Sequence, residues 1–305
     1  MNYEAFKNAI AVDVASEMVN TDIGPVTVTF HVVKKVNCEY DAMTVTPKNS
    51  KIGVNLDISS LYEEYQKSDD YTKSLKTAEI AITKGLSCCS DVNVASLMDY
   101  DNMKKTLVME VISKDANADI LKNVPHHDIE DMAVVYRLVL DSTDAGKSTV
   151  LVTNNLLDNY GISAEQLWED ALENAPIVRP AQIKGMSEIM YEMMGPDAEA
   201  MGIPQIDPAD EKMFVATVSD KTCGAGVLAY PNFMEEAAEK IGGSYFVLPS
   251  SIHEVILVPD DGRMDAQELE NMVKDVNATQ VDAADKLTDH VYHYDVKMHV
   301  FTMVA

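Results

Sequence analysis

Apolar residues recur at every fourth position near the start of the chain, where Phe6, Ile10, Val14 and Met18 form a single stripe. Such spacing predicts a helix over residues 2–18 that buries one face. The period then changes. Residues 26–33, 42–45 and 52–56 are rich in β-branched side chains and predict strands, with Pro47-Lys48-Asn49-Ser50 as the turn between the last two. Helical spacing returns at 59–65 and 71–82, and further strands are expected over 106–112, 132–140 and 149–153. Ser163 to Gln166 has the form of a capping box, in which Ser163 serves the open amides and Gln166 reaches back. Leu167, Ala171 and Leu172 supply that helix's buried face, and Pro176 is expected to stop it.

Residues 224–261 spell the clearest unit: strand, helix, strand, strand. AGVLAY at 225–230 is short, apolar and β-compatible. Pro231 stands where a helix tolerates proline, with Glu235 and Glu236 close behind. Phe233, Met234, Ala237, Ala238 and Ile241 keep helical spacing, and Gly242-Gly243 ends the run. Residues 245–248 and 254–258 read as two buried strands around the polar turn Pro249-Ser250-Ser251, and Asp260-Asp261-Gly262 closes the second. The phrases LAYPNFMEEAAEKIG and YFVLPSSIHEVILVPDDG, a later helix ending in VNAT and the tail LTDHVYHYD resemble a group of bacterial proteins, domain of unknown function family 5688. LDISSLYEEYQ, and ISAEQLWEDALENAPIV with its Asn-containing turn before a next strand, resemble the same family. The resemblance implies an architecture and carries no established activity.

Together these patterns predict an α/β or α+β fold with mixed sheets, covering helices and two closely packed domains. The expected division is an N-terminal α+β domain over 1–103 and a C-terminal α/β domain over 104–305. Residues 187–210, rich in Met and broken by prolines, read as a helix followed by a loose excursion. STVLVTNNLLDNYG and AGVLAYPNFMEEAAEKIG echo each other, each running from a short strand through Asn into a helix.

Charge narrows the function classes. Of 305 residues, 50 are Asp or Glu and 24 are Lys or Arg, a formal charge of −26. Holding phosphates requires a clustered basic face, and the only arginines, Arg137, Arg179 and Arg263, are far apart in sequence. Direct nucleic-acid binding is therefore not expected. Glu4 and Asp13 interrupt the N-terminal apolar pattern, so it does not read as a signal peptide. The longest apolar run, 132–140, is too short for a membrane span and contains Arg137. Cys38, Cys88, Cys89 and Cys223 have no CxxC spacing, which fits a cytoplasmic protein with free thiols.

Candidate chemistry is thin. Asp141 to Ser148 departs from a phosphate-binding loop at its first position, and the strand-like residues after Ser148 predict a hairpin instead of the helix that loop requires. Cys223 and His253 would form a nucleophilic dyad if the fold joined them, although a small structural cysteine is the plainer reading. His290 and His293 alternate as on a strand, which sends the rings to opposite faces and away from a shared metal. His126-His127-Asp128 reads as a polar loop or helix start. Met190, Met193, Met194 and Met201 suit core filling or an adaptable partner surface. The turn residues Ser250, Ser251, His253 and Glu254 are the candidate binding residues, since they gather two hydroxyls, an imidazole and a carboxylate between two apolar strands. No catalytic residue, metal ligand or cofactor site is assigned.

The resulting expectation is a non-enzymatic cytoplasmic interaction protein, of a mobile element, that engages a basic, nucleic-acid-handling protein through an acidic surface. The alternatives are a Cys/His-dependent hydrolase or transferase using Cys223 and His253, and a small-ligand-binding domain using the Ser250–Glu254 turn.

Overall fold

Phe6, Ile10, Val14 and Met18 are buried as a set along helix α1 (Tyr3–Met18) of the computed structural model, and Asn2 caps that helix by accepting from the Ala5 amide. Burying each such side chain stabilises by roughly 1.5–3 kcal/mol. The structure describes residues 1–50, 52–89, 97–143, 146–195 and 211–305, in two compact units, Met1–Val94 and Ala95–Ala305.

The first unit pairs β1 (Val26–Lys35), β2 (Cys38–Pro47) and β3 (Val54–Asp57) in an antiparallel sheet. Helices α2 (Ile58–Ser68) and α3 (Tyr71–Cys89) follow. Asp57 fixes the start of α2 by accepting from the Ser59 and Ser60 amides. Met43, Val45, Ile58 and Ile82 close over the α1 stripe, and the Phe6 ring stacks on Tyr65 at 5.3 Å.

The second unit opens with α4 (Tyr100–Met103) and continues through β4 (Leu107–Ser113), α5 (Ala118–Leu121), β5 (His126–Ile129), β6 (Met132–Thr143) and β7 (Gly146–Leu151). Strand β6 is the spine of this sheet. It pairs with β4, with β5 from residue 132 to 135, and with β7 from residue 137 onward. Next come α6 (Asn154–Tyr160), α7 (Ala164–Val178), β8 (Ala181–Gly185), α8 (Met186–Met194) and β9 (Phe214–Val218). The chain ends with α9 (Phe233–Ile241), β10 (Tyr245–Leu248), β11 (Val255–Pro259), α10 (Ala266–Thr279), β12 (Tyr292–Asp295) and β13 (Val300–Met303). A six-stranded sheet runs in the order β13-β12-β10-β11-β9-β8. The class is α+β, and among the described residues every strand pairing is antiparallel. One core joins the two sheets of this unit, with Met109, Val134 and Tyr136 from one and Phe214, Ala216, Tyr245 and Leu257 from the other. Asp131, in the β5–β6 turn, ties them further by accepting from Thr288 and Tyr292. Among the described residues no helix is long and apolar enough to cross a membrane.

Three local expectations are corrected. Residues 225–230 form no strand: Gly224–Ala229 is a buried 3-10 helix, wedged between β4 and β9. Its interior position is what makes the sequence uniformly apolar, and a short apolar run has no periodicity to separate strand from helix. The echo with the Asn154 region therefore joins unlike structures, and α9 begins two residues after Pro231, at an Asn232 cap. Pro176 does not stop α7, which runs on to Val178. A proline in the last turn removes one amide, while the Arg179 amide still closes on Ala175. Ser163 caps α7 by accepting from the Gln166 amide, while both halves of a capping box form at Asp265 and Glu268 of α10. The excursion over 196–210, with Met201, lies outside the described residues.

Candidate functional site

Strands β8, β9 and β11 lie side by side, and their register pairs Gln182 with Thr217, Lys184 with Val215 and Val215 with Ile256. Side chains opposite one another share a face, so these form one surface, while Phe214, Ala216, Val218 and Leu257 enter the core behind it. Helix α8 leans over the surface through Met186, Ile189 and Glu192, and encloses a pocket of about 320 Å³. Lys221 and Glu254 complete its lining. Glu192 and Glu188 pair with Lys184, and the hydrogen bond to Glu192 holds the Lys184 ammonium above its ordinary pKa.

Two of the lining residues, Lys221 and Glu254, come from the loop after β9 and the turn before β11. Lys221 and Cys223 both adopt left-handed backbone, with φ of 56° and 53°, which costs a non-glycine residue of order 1–3 kcal/mol. Hydrogen bonds hold them there. The Lys221 amide donates to Val218 O at 3.0 Å, and the Cys223 amide donates to His253 Nδ1 at 3.2 Å. His253 O receives both the Gly224 amide at 3.0 Å and the Thr217 hydroxyl at 2.8 Å. Since Nδ1 is an acceptor, the imidazole proton sits on Nε2, which faces Asp285 Oδ1 at 3.3 Å.

The four candidate binding residues therefore have separate duties. Glu254 lines the pocket. His253 braces Cys223, Ser251 is buried and accepts from the His253 amide, and the Ser250 carbonyl accepts from the Leu287 amide.

Cys223 and His253 are adjacent, but the imidazole engages the cysteine's backbone and not its sulfur. The thiol donates to Glu110 Oε1 at 3.4 Å. Burial first, and the Glu110 carboxylate second, push the thiol up to about 12, against a lowering influence from Arg137 and Arg179. Both raising influences favour the protonated thiol at neutral pH. Glu110 is buried and ion-paired with Arg137 Nε. Arg179 is also buried. Its Nε lies 3.2 Å from Asp220 Oδ2 without the alignment of a hydrogen bond, and its Nη1 donates to Thr222 O at 3.2 Å. Native protein treated with iodoacetamide at pH 8 is expected to label exposed Cys38 and leave Cys223 unmodified until the chain is denatured. Peptide mapping would show this, and labelling of Cys223 at the rate of Cys38 would contradict it.

Sequence reading missed Lys221, Glu110, Arg137, Arg179 and the β8–β9 face. The polar run Asp220-Lys221-Thr222 before Cys223-Gly224 was the available signal, since a tight polar loop ahead of an apolar segment favours unusual backbone. The arginines gave none, because Arg137 and Arg179 meet near Cys223 only through folding.

The remaining candidates do not form sites. His293 pairs with Asp260 at 3.0 Å, whereas His290 contacts Glu270 and Ala305 O. Among the described residues no group of three or more His, Cys, Asp or Glu side chains could hold a metal. β6 and β7 form a hairpin pairing Thr143 with Gly146, while Asp144 and Ala145 of the loop lie outside the described residues. His126 and His127 fall on β5, with the His127 ring stacked on Trp168 at 4.2 Å. Core filling by the α8 methionines is corrected, since Met190, Met194 and above all Met193, 81% accessible, face outward.

A family model described as a family of unknown function, DUF5688, matches residues 3–296. No curated protein and no solved structure matches the chain.

Proposed function

Because the chain belongs to the DUF5688 family, whose description supplies no activity, we propose from its charge arrangement that it is a non-enzymatic cytoplasmic interaction protein. Its acidic surface engages a basic protein of the kind that handles nucleic acid.

One observation carries this reading. Glu165, Glu169 and Glu173 stand at successive turns of α7, all exposed, and none is paired with a cation among the described residues. Exposed Ile177, 73% accessible, continues the same stripe. Like charges four apart on a helix cost roughly 0.2–0.5 kcal/mol per pair, so the spacing of Glu169 and Glu173 gains nothing for the helix, whereas Glu165 stands in its first turn, where a carboxylate is favoured. Glu165 is held below the usual carboxylate range by hydrogen bonds from its own amide and the Ser163 hydroxyl, so it stays ionised. Across the chain, 50 acids less 24 bases leave 26 carboxylates that no lysine or arginine can neutralise one for one. Such a field accelerates encounter with a cationic surface and falls off with salt. The protonated Cys223 thiol supports the non-enzymatic side of the reading.

The test is affinity purification from the native host with wild-type chain and with the triple variant Glu165→Gln, Glu169→Gln, Glu173→Gln. The wild type is expected to retain a basic protein that is released as ionic strength rises, and the triple variant to retain at least about tenfold less. Equal retention by both, or no partner at low salt, would remove the basis of the proposal.

A further inference from the structure

We propose that the pocket formed by β8, β9, β11 and α8 binds a free α-amino acid with an aliphatic side chain. This site is independent of the acidic face of α7.

Two ionic groups in the pocket have no partner among the described residues: the Lys221 ammonium and the Glu254 carboxylate. No ion pair joins them to each other, so each remains available to a ligand. The other cation of the lining, Lys184, is already matched by Glu188 and Glu192 and leaves the ligand's charges to Lys221 and Glu254. One open cation and one open anion in the same cavity select a zwitterion, with the ligand carboxylate on Lys221 and its ammonium on Glu254. Thr217 adds to the ammonium side, because its proton is committed to His253 O and its lone pairs remain free to accept. Between these groups the surface is apolar, with Met186, Ile189, Val215 and Ile256 positioned to take an aliphatic side chain.

Size agrees. About 320 Å³ is at the lower end of small-molecule pockets, roughly 300–1,000 Å³, which suits a single amino acid and excludes a nucleotide lacking a second open cation. The left-handed backbone at Lys221 and Cys223 adds a second line of support. Strain of this kind persists only where surrounding structure enforces it, and it concentrates at ligand clamps. Here the enforced geometry presents Lys221 to the cavity.

Calorimetric titration of the full chain with L-leucine, 4-methylpentanoate and 3-methylbutylamine tests the proposal, because the last two each lack one charged head. Leucine is expected to bind, and each half-ligand to bind at least about tenfold more weakly, as loss of one charge-assisted hydrogen bond predicts. Lys221→Met is expected to weaken leucine by about tenfold or more while leaving 3-methylbutylamine unchanged. Glu254→Gln is expected to weaken leucine similarly and leave 4-methylpentanoate unchanged. Absence of leucine binding up to about 10 mM would overturn the proposal. So would a half-ligand that binds as well as leucine, or variants that lack this crossed pattern.

Discussion

Replacing Gly224 with alanine is expected to destabilise the second unit by about 3 kcal/mol or more. An added Cβ would lie 2.1 Å from Thr217 Oγ1, 2.4 Å from His253 O and 2.9 Å from Thr217 Cα. The last two are backbone atoms and have no rotamer to escape into. Any shift that relieves them pulls Gly224 away from His253 O, where its amide and the Thr217 hydroxyl converge. The same shift loosens the cap on the 3-10 segment that fills the space between the two sheets. Gly243→Ala is the control, since nothing lies within 4 Å of its added methyl. Urea unfolding should separate them clearly, and a Gly224→Ala midpoint equal to that of the control would refute the close-approach account.

Glu110→Ala is expected to cost about 3–5 kcal/mol, the usual penalty for breaking a buried ion pair from one side. The Glu110 side chain is only 4% accessible and that of Arg137 23%, so removal strands a guanidinium with little water to replace its partner. It also takes away the acceptor of the Cys223 thiol. Removing both charges as Glu110→Leu with Arg137→Leu is expected to restore most of the loss, because desolvation of the pair cancels much of its attraction. A double-mutant cycle by urea denaturation measures the coupling. If Glu110→Ala costs less than about 1 kcal/mol, within the range of an exposed pair, the pair is not the structural element described above. Burial remains the first cause of the raised thiol, so Glu110→Ala should increase Cys223 alkylation only partially.

Residues whose burial follows from local periodicity were legible without coordinates. The Phe6, Ile10, Val14 and Met18 stripe became the inner face of α1. Val26 and Met132 each begin a strand as expected, and Ser163 caps its helix. Strand ends were less readable: the pattern at 42–45 extends in the structure to Cys38–Pro47, because pairing with β1 carries polar residues along with the apolar ones. Strand β9, FVATV, was not anticipated at all, although it sits within the six-stranded sheet. At the candidate site, Glu254 was singled out for its turn chemistry and does line the pocket, whereas His253 spends its imidazole on the Cys223 amide.

By themselves, then, the chain's apolar and polar pattern and its composition determined most helices, most strands and the large acid surplus, since each depends on neighbours a few positions away or on composition. They left the class open between α/β and α+β until the all-antiparallel pairing of the described strands decided it. Tertiary structure alone decided that AGVLAY is a buried 3-10 turn, that the Cys223 thiol faces Glu110, and that Lys221 and Glu254 open onto one cavity with Lys184. Those outcomes depend on strand register and on segments far apart in sequence, and the free energy that sets them arises only when the segments meet.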